Sequence, residues 1–437
     1  MAIPSLKRGV HPPENKETAK TPIRYFFPKK GAEMIYPMVQ HIGAPCTPVV
    51  EIGEKVDVGQ KIADSDAFMS SPIHTTVSGV VKEKRIVITT TGRSCDALVI
   101  ENDGEYRDYH SCNIRVDFKN LSREEILAHI RESGIVGLGG AGFPTHIKLN
   151  PPPEKRIDTV IINAAECEPY LTNDHRVLLE EPRRILLGLE IILHLFPEAR
   201  GIIAIEDNKK DAIELVRKLN ENSNVTIFPM KTMYPQGAEK QIIETCLGRE
   251  VPSGGFPMDV GAIVQNVDTT ISLHRAFFRG RPLMRKIITI AGGAVINPGN
   301  YKVRLGMNYT DVIEAIGGLR SKPYKIVMGG PMMGVSHYTF DVPVIKTSSA
   351  LLLLTEKEGK IPKERNCIRC GKCVDVCPMG LMPMELNKFA LFAHDEKFKS
   401  YNGMDCIECA SCSYICPAKR HLAQSITVLR REIMAAR

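Results

Sequence analysis

The apolar positions of this chain change their spacing several times along its length. Residues 1–33 keep no sustained period, and His11, Pro12, Pro13, Glu14, Asn15 and Lys16 stand together, which predicts a loose or surface-laid arm. From Met34 to about Ile88, short β-type runs are split by glycines, as in Val49-Val50-Glu51-Ile52-Gly53 and Val77-Ser78-Gly79-Val80-Val81. A helix begins at Ser122, where Ser122-Arg123-Glu124-Glu125 forms a capping box ahead of an Ile126, Leu127, Ile130 stripe. Strand-like 159–163, helical 183–195, strand-like 201–205, helical 209–221 and strand-like 225–228 then alternate, the pattern of an α/β layer with a largely parallel sheet. Residues 286–318 read as two strands around Pro298-Gly299-Asn300 and a helix over 310–316, a small β-grasp-like unit. The apolar run 350–354 reads as a buried strand, and a charged linker over 356–366 follows it. At the end, Leu422, Ile426, Leu429 and Ile433 share one helical face, either a docking surface or a core stripe.

Composition narrows the class. With 437 residues, 43% hydrophobic and 24% charged, the chain is a folded protein of several domains, not a disordered chain, a collagen or a disulfide scaffold. The excess of 57 Lys and Arg over 50 Asp and Glu is mild. No basic patch with interleaved aromatics accompanies it, so no nucleic-acid partner is predicted, and an acidic protein partner suits it equally. No apolar run of about 18 residues exists, so no transmembrane helix of its own is predicted. The N-terminus lacks a charged-then-apolar leader, which predicts no export. In a reducing compartment, clustered cysteines are metal ligands or redox groups rather than disulfides.

The cysteines carry the strongest chemical signal. Cys367, Cys370, Cys373 and Cys377-Pro378 fit C-x2-C-x2-C-x3-C-P, and Cys406, Cys409, Cys412 and Cys416-Pro417 repeat it. This is the bacterial ferredoxin run, in which the fourth cysteine ligates the other cluster. One [4Fe–4S] cluster is therefore assigned to Cys367, Cys370, Cys373 and Cys416, and the second to Cys406, Cys409, Cys412 and Cys377. Zinc sites favour two ligand pairs with a long gap, which this spacing lacks. Cys46, Cys95, Cys112 and Cys246 read as buried small hydrophobes; Cys167 stands apart because it lies in an acidic turn.

Gly137-Leu138-Gly139-Gly140-Ala141-Gly142-Phe143 is a weak signal alone, since it does not fit the dinucleotide fingerprint. Glycines let backbone N–H groups approach a phosphate, and Lys148 adds charge nearby. Asn163 and the Glu166-Cys167-Glu168-Pro169 turn follow a strand end, the usual ligand edge of an α/β sheet.

Two kinds of resemblance extend this reading. The glycine-split runs of 34–88 resemble the biotinyl/lipoyl-like barrel-sandwich fold. Carriers of that fold place a lysine ten residues before the serine of the Val-Ser-Gly turn; here that position is Phe68, which predicts a scaffold and no swinging arm. The stretches 139–148, 163–169, 234–239 and 265–269 resemble, in the same order, the NADH-binding, flavin-carrying subunit of respiratory complex I. The barrel-sandwich Gln40-His41-Ile42-Gly43-Ala44-Pro45, the Ala165-Glu166-Cys167-Glu168-Pro169-Tyr170 turn, Gly329-Gly330-Pro331-Met332-Met333-Gly334 and the paired ferredoxin motifs are similar to the RnfC family of Rnf complexes, over roughly 5–425.

The resemblance implies a multidomain α/β architecture: an arm (1–33), a barrel-sandwich scaffold (34–115), an FMN- and NADH-binding α/β domain (116–284), a β-grasp, soluble-ligand-binding domain (285–355) and a helical two-[4Fe–4S] ferredoxin-like domain (356–437). It implies that Gly137, Gly139, Gly140, Gly142, Lys148, Asn163, Tyr234, Gly237, Asn266 and Thr269 hold FMN. Glu166, Glu168 and Glu239 would lie near the isoalloxazine and nicotinamide, with Phe143 and Phe256 stacking on NADH. Two positions depart from the complex I pattern: Ala165 replaces an aspartate and Ser253 replaces a lysine.

The function implied is a subunit on the cytoplasmic face of the membrane that exchanges electrons between [4Fe–4S] clusters and NAD(H) through FMN. Its partners would be the other Rnf subunits, integral membrane subunits and a ferredoxin-like Fe–S subunit among them, which couple the reaction to Na⁺ or H⁺ transport. The alternatives are a soluble flavin/Fe–S corrinoid (cobalamin) reductase and a non-enzymatic relay whose glycine loop is structural.

Overall fold

The computed structural model describes residues 3–436. The short β-type runs of the N-terminal third form two small sheets. One orders its strands Glu33–Pro37, Ser94–Asn102, Gly79–Ile88 and Lys55–Val56; the other orders Thr47–Pro48, Lys61–Asp64 and Ile73–His74. Phe68 lies between the last two strands and is 79% exposed. The barrel-sandwich expectation is met.

The α/β unit is built on four parallel strands, Thr159–Ala164, Arg200–Glu206, Val225–Met230 and Ala262–Asn266. Val160, Ile161 and Ile162 are all fully buried, as a parallel strand covered on both faces requires. The capping box at Ser122 is present in full and opens helix Arg123–Glu132. The chain runs outward from Thr159–Ala164 through the next two strands. It then returns to lay Ala262–Asn266 on the opposite side of the first, so the winding direction reverses between those two strands.

The β-grasp unit is a mixed sheet of six strands, ordered Arg24–Tyr25, Gly299–Arg304, Arg285–Ala291, Ala350–Leu354, Lys325–Met328 and Val335–His337. Every residue of Ala350–Leu354 is buried, as expected. One edge strand of this sheet comes from the N-terminal arm.

That corrects the expectation of a loose arm. Val10 pairs through both backbone hydrogen bonds with Tyr234 (2.8 and 2.9 Å), and Leu6 and Val10 are buried. The arm is laid along the surface, but it is anchored to two other units by its own backbone.

The C-terminal unit is helical. Ile426, Leu429 and Ile433 of helix Leu422–Ala435 pack with Leu386, Phe389 and Phe398, while Leu422 packs beside Cys373 and Cys416. The apolar stripe is spent on the core, each side chain stabilising the fold by about 1.5–3 kcal/mol. The docking reading of that face is thereby overturned. Among the described residues no helix is long and apolar enough to cross a membrane.

Candidate functional site

Open α/β sheets bind ligands outside the carboxyl ends of their strands, where the winding reverses. Here that point is marked by two asparagines, since Asn266, the last residue of its strand, stands in direct register with Asn163, the last but one of the neighbouring strand. Asn266 accepts from the Asp268 N–H (2.9 Å), capping helix Val267–Arg279, and donates to Asp174 (2.8 Å). Asn163 donates to the Gly237 carbonyl (2.8 Å) and accepts from the Ala165 N–H (3.2 Å).

The glycine loop covers Asn266. The Leu138 N–H donates to the Thr269 hydroxyl (2.9 Å), and the buried Lys286 ammonium donates to the Leu138 carbonyl and to Asp268, both at 3.0 Å. Gly137 N–H donates to the Phe143 carbonyl at 2.9 Å, closing the loop on itself. A Cβ on Gly139 would approach Asn266 to 3.0 Å, and one on Gly142, held at φ +76°, would meet Thr347 at 2.7 Å. Gly140 is different: a Cβ there would meet nothing within 4 Å. The loop is packed on its inner side and open at Gly140, the shape a phosphate needs for close backbone approach. A flavin mononucleotide phosphate fits it, and Lys148, ion-paired with Glu239 at the half-buried lip, is the nearby cation.

The acidic turn is held from outside its own domain. Lys16 of the arm donates to the carbonyls of Glu166 (2.7 Å), Glu168 (3.1 Å) and Leu171 (2.7 Å). Glu166 sits at φ +53°, and its carboxylate accepts from the Asp174 and His175 N–H groups (2.6 and 3.2 Å) at the start of helix Asn173–Glu180. Glu168 turns to the Gly329–Gly334 segment and accepts from Met332 and Met333 N–H (3.1 and 2.9 Å). Burial pushes its carboxyl up to about 7, against the pull of those two amides. Burial, with the nearby Glu166 charge, also lifts Asp174 to about 7. Cys167 is a partly buried thiol that accepts from Gly237 N–H (3.4 Å), and burial raises it far above the ordinary thiol range. Cys95 and Cys246 are likewise only partly buried, whereas Cys46 and Cys112 are fully so.

The structure therefore gathers Gly137, Gly139, Gly140, Asn163, Gly237, Asn266 and Thr269 about one crevice, with Lys148 paired to Glu239. Tyr234 points elsewhere. It is 2% exposed, and its hydroxyl donates to the Cys409 carbonyl at 2.8 Å. Phe256 is 60% exposed on a loop whose Ser253 hydroxyl donates to Asp405 at 2.6 Å, next to Cys406. Tyr234 thus ties the loop of Gly237 to the cysteine-rich unit, and Ser253 and Gln241, which donates to the Pro378 carbonyl at 3.5 Å, tie other parts of the α/β domain to it.

The two cysteine motifs fold alike. Arg369 N–H donates to Cys367 Sγ and Glu408 N–H to Cys406 Sγ, each at 3.4 Å. Arg369 and Gly371 in one loop, and Glu408 and Ala410 in the other, take left-handed φ values of 54, 77, 57 and 60°. Three of these four are not glycine, a conformation such residues hold only when their surroundings enforce it. One cavity is lined by Cys367, Cys370, Cys373 and, from the other motif, Cys416. Cys377 neighbours Cys406, Cys409 and Cys412. Among the described residues no three His, Cys, Asp or Glu side chains converge on a single-ion site. The first quartet rings a space instead, which suits a cube of iron and sulfide. Cys367 and Cys370 are exposed, whereas Cys373, Cys377, Cys409 and Cys416 are buried.

Sequence reasoning missed Lys16, Asp174, Lys286 and Asp405. No local pattern marks Lys16, Lys286 or Asp405 for its role, and each reaches a partner about 150 residues away. Only the Asn173-Asp174 pair, at a helix start, carried a local signal.

Family models match four successive stretches: an RnfC barrel sandwich hybrid domain at 4–105, a Nuo51 FMN-binding domain at 130–275, an SLBB domain at 287–336 and a 4Fe-4S dicluster domain at 366–419. The chain is 43% identical over 435 residues to the C subunit of the Na(+)-translocating ferredoxin:NAD(+) oxidoreductase complex of Acetobacterium woodii, covering 99% of this chain and 98% of that one. It is 45% identical over 437 residues to the proton-translocating counterpart of Clostridium ljungdahlii, covering 99% and 95%. Against the C subunit of the ion-translocating oxidoreductase complex of Pseudomonas aeruginosa it is 37% identical, over 92% of this chain and 52% of that longer one. A chain of the NAD+-reducing [NiFe]-hydrogenase crystal structure in the air-oxidized state shares the fold. It has a TM-score of 0.51 at 17% identity, with 72% of this chain and 61% of that one covered. With the four domains in this order, and its full-length relatives above 40% identity, the chain belongs to the RnfC family of Rnf complexes, with that family's FMN-binding and two-cluster [4Fe–4S] domains.

Proposed function

We propose that this chain is the NAD(H)-facing electron-transfer subunit of an Rnf-type complex, held peripherally at the cytoplasmic face of the membrane by partner subunits. Those subunits would include membrane-spanning members and a ferredoxin-like Fe–S member, and would couple the electron flow to Na⁺ or H⁺ movement. Bound flavin supplies the exchange between electron pairs, as nicotinamide carries them, and the single electrons that iron–sulfur clusters carry.

The chain's own residues bind and orient. Gly139, Gly140 and Lys148 receive a phosphate, Asn163 and Asn266 frame the crevice, and Glu166 with Lys16 fixes the turn beside it. Tyr234 carries the reading: it lies in the same loop as Gly237 and holds the Cys409 carbonyl, so one cysteine quartet abuts the crevice. The exposure of Cys367 and Cys370 supports the other quartet as the one a partner's redox centre would reach.

An anaerobic titration tests this. The full chain, loaded with FMN and both clusters, is mixed with NADH while flavin and cluster absorbance are followed. Loss of flavin absorbance followed by cluster bleaching supports the reading. Flavin that stays oxidised with NADH while dithionite reduces everything would place the nucleotide port on another subunit.

A further inference from the structure

A cavity of about 450 Å³ lies where the arm, the barrel sandwich, helix Val267–Arg279 and the β-grasp sheet meet. Five cations line it, Arg275, Arg281, Arg285, Lys302 and Arg304, against two carboxylates, Asp108 and Asp268. Both carboxylates are taken: Arg281 holds Asp108, and Lys286 holds Asp268. Glu181, beside the wall, is left to serve Arg275 (3.0 Å), Lys302 (2.7 Å), Arg184 (2.8 Å) and, distantly, Arg285 (3.9 Å). Among the described residues Arg304 forms no ion pair, and Asp108, whose charge reaches it, is held by Arg281. Arg304 donates to the Thr76 carbonyl, and its buried Nε has no acceptor; the buried Nε of Arg275 has none either.

Aromatic rings complete the lining. Lys302 lies 4.4 Å from the Tyr25 ring centre, and Arg304 lies 5.0 and 4.8 Å from those of Phe27 and Tyr106. Tyr25 and Phe27 are more than half exposed and form the rim. Buried and partly buried cations in excess of their carboxylates call for an anion, and guanidinium forks match phosphate oxygens. Rings at the rim favour a ligand with a flat, less polar part.

We propose that this cavity binds a small organic phosphate of nucleotide size. Its phosphate lies among Arg275, Arg285, Lys302 and Arg304, and its planar part lies against Phe27. The site is separate from the glycine loop, yet its Asp268 shares Lys286 with the Leu138 carbonyl of that loop.

The test is calorimetric titration of the full chain, carrying FMN and both clusters, with AMP, inorganic pyrophosphate and adenosine. AMP and pyrophosphate bind stoichiometrically, and adenosine does not. Arg285→Gln, which removes only a long ion pair from the fold, weakens both anions about tenfold or more. Phe27→Ala, at an exposed position, weakens AMP more than pyrophosphate. Lys148→Gln, in the glycine-loop site, changes neither. Absence of anion binding, adenosine binding as tightly as AMP, or sensitivity to Lys148→Gln in place of Arg285→Gln would each overturn the proposal.

Discussion

The Tyr234 hydroxyl donates to the backbone carbonyl of Cys409 at 2.8 Å, across 175 positions of sequence. A loop at the carboxyl edge of the parallel sheet is thereby joined to the loop that wraps one cysteine quartet. Val10 of the arm closes the same contact from behind by pairing with the Tyr234 backbone.

Tyr234→Phe keeps the ring and removes the donor. The buried Cys409 carbonyl is left unsatisfied, a local cost of about 1–3 kcal/mol. In anaerobic stopped flow, flavin bleaching by NADH should keep its wild-type rate while the following cluster reduction slows. Equal rates in both phases would remove Tyr234 as a positioning residue.

Crossed ligation makes a non-additive prediction. Cys416→Ser lies in the second motif but should damage the same cluster as Cys370→Ser, so the double variant loses no more iron than either single one. Cys370→Ser combined with Cys377→Ser should lose both clusters. Iron content and low-temperature EPR decide between these patterns.

The glycines of the loop should separate folding from flavin binding. Gly142→Ala is strained at φ +76° and meets Thr347, so its melting temperature falls. Gly140→Ala meets nothing within 4 Å and should fold like wild type. Its methyl group points into the proposed cradle, so FMN affinity, read by fluorescence quenching, should drop about tenfold or more. Wild-type affinity in Gly140→Ala would move the phosphate off this loop.

Glu168 should impose a pH dependence on stability. Its folded value, about 7, lies above the ordinary 4.5 because of burial. A raised carboxyl contributes stability that is fully present below 4.5 and lost as pH rises through about 7. Melting temperature should therefore fall over that window in wild type, and less steeply in Glu168→Gln. Parallel curves for the two chains would contradict this.

Lys16→Met deprives three carbonyls of one donor. A loss on the order of 3 kcal/mol is expected, read in denaturant unfolding, with flavin retention falling as the acidic turn loosens. A surface lysine of the arm, such as Lys20, should change neither when replaced by methionine.

Local patterns in the chain determined much of this protein. The capping box at Ser122, the continuous apolar run over 160–162 and the spacing of the eight motif cysteines each act within one element, where backbone periodicity or loop length decides the outcome. Asn163 was legible in the same way, at the end of its strand, whereas the glycine loop, weak alone, and Asn266 were reached through the family resemblance. Tertiary structure decided the rest, because its causes join segments far apart in sequence. Nothing near Lys16 shows that it will reach 150 residues onward to Glu166, nor does the arm's composition show Arg24–Tyr25 finishing the β-grasp sheet. The stripe of Leu422, Ile426, Leu429 and Ile433 has the same period whether it docks a partner or fills a core. Only the presence of Leu386, Phe389 and Phe398 opposite it settled which, since an apolar face is buried by whatever surface the fold brings against it.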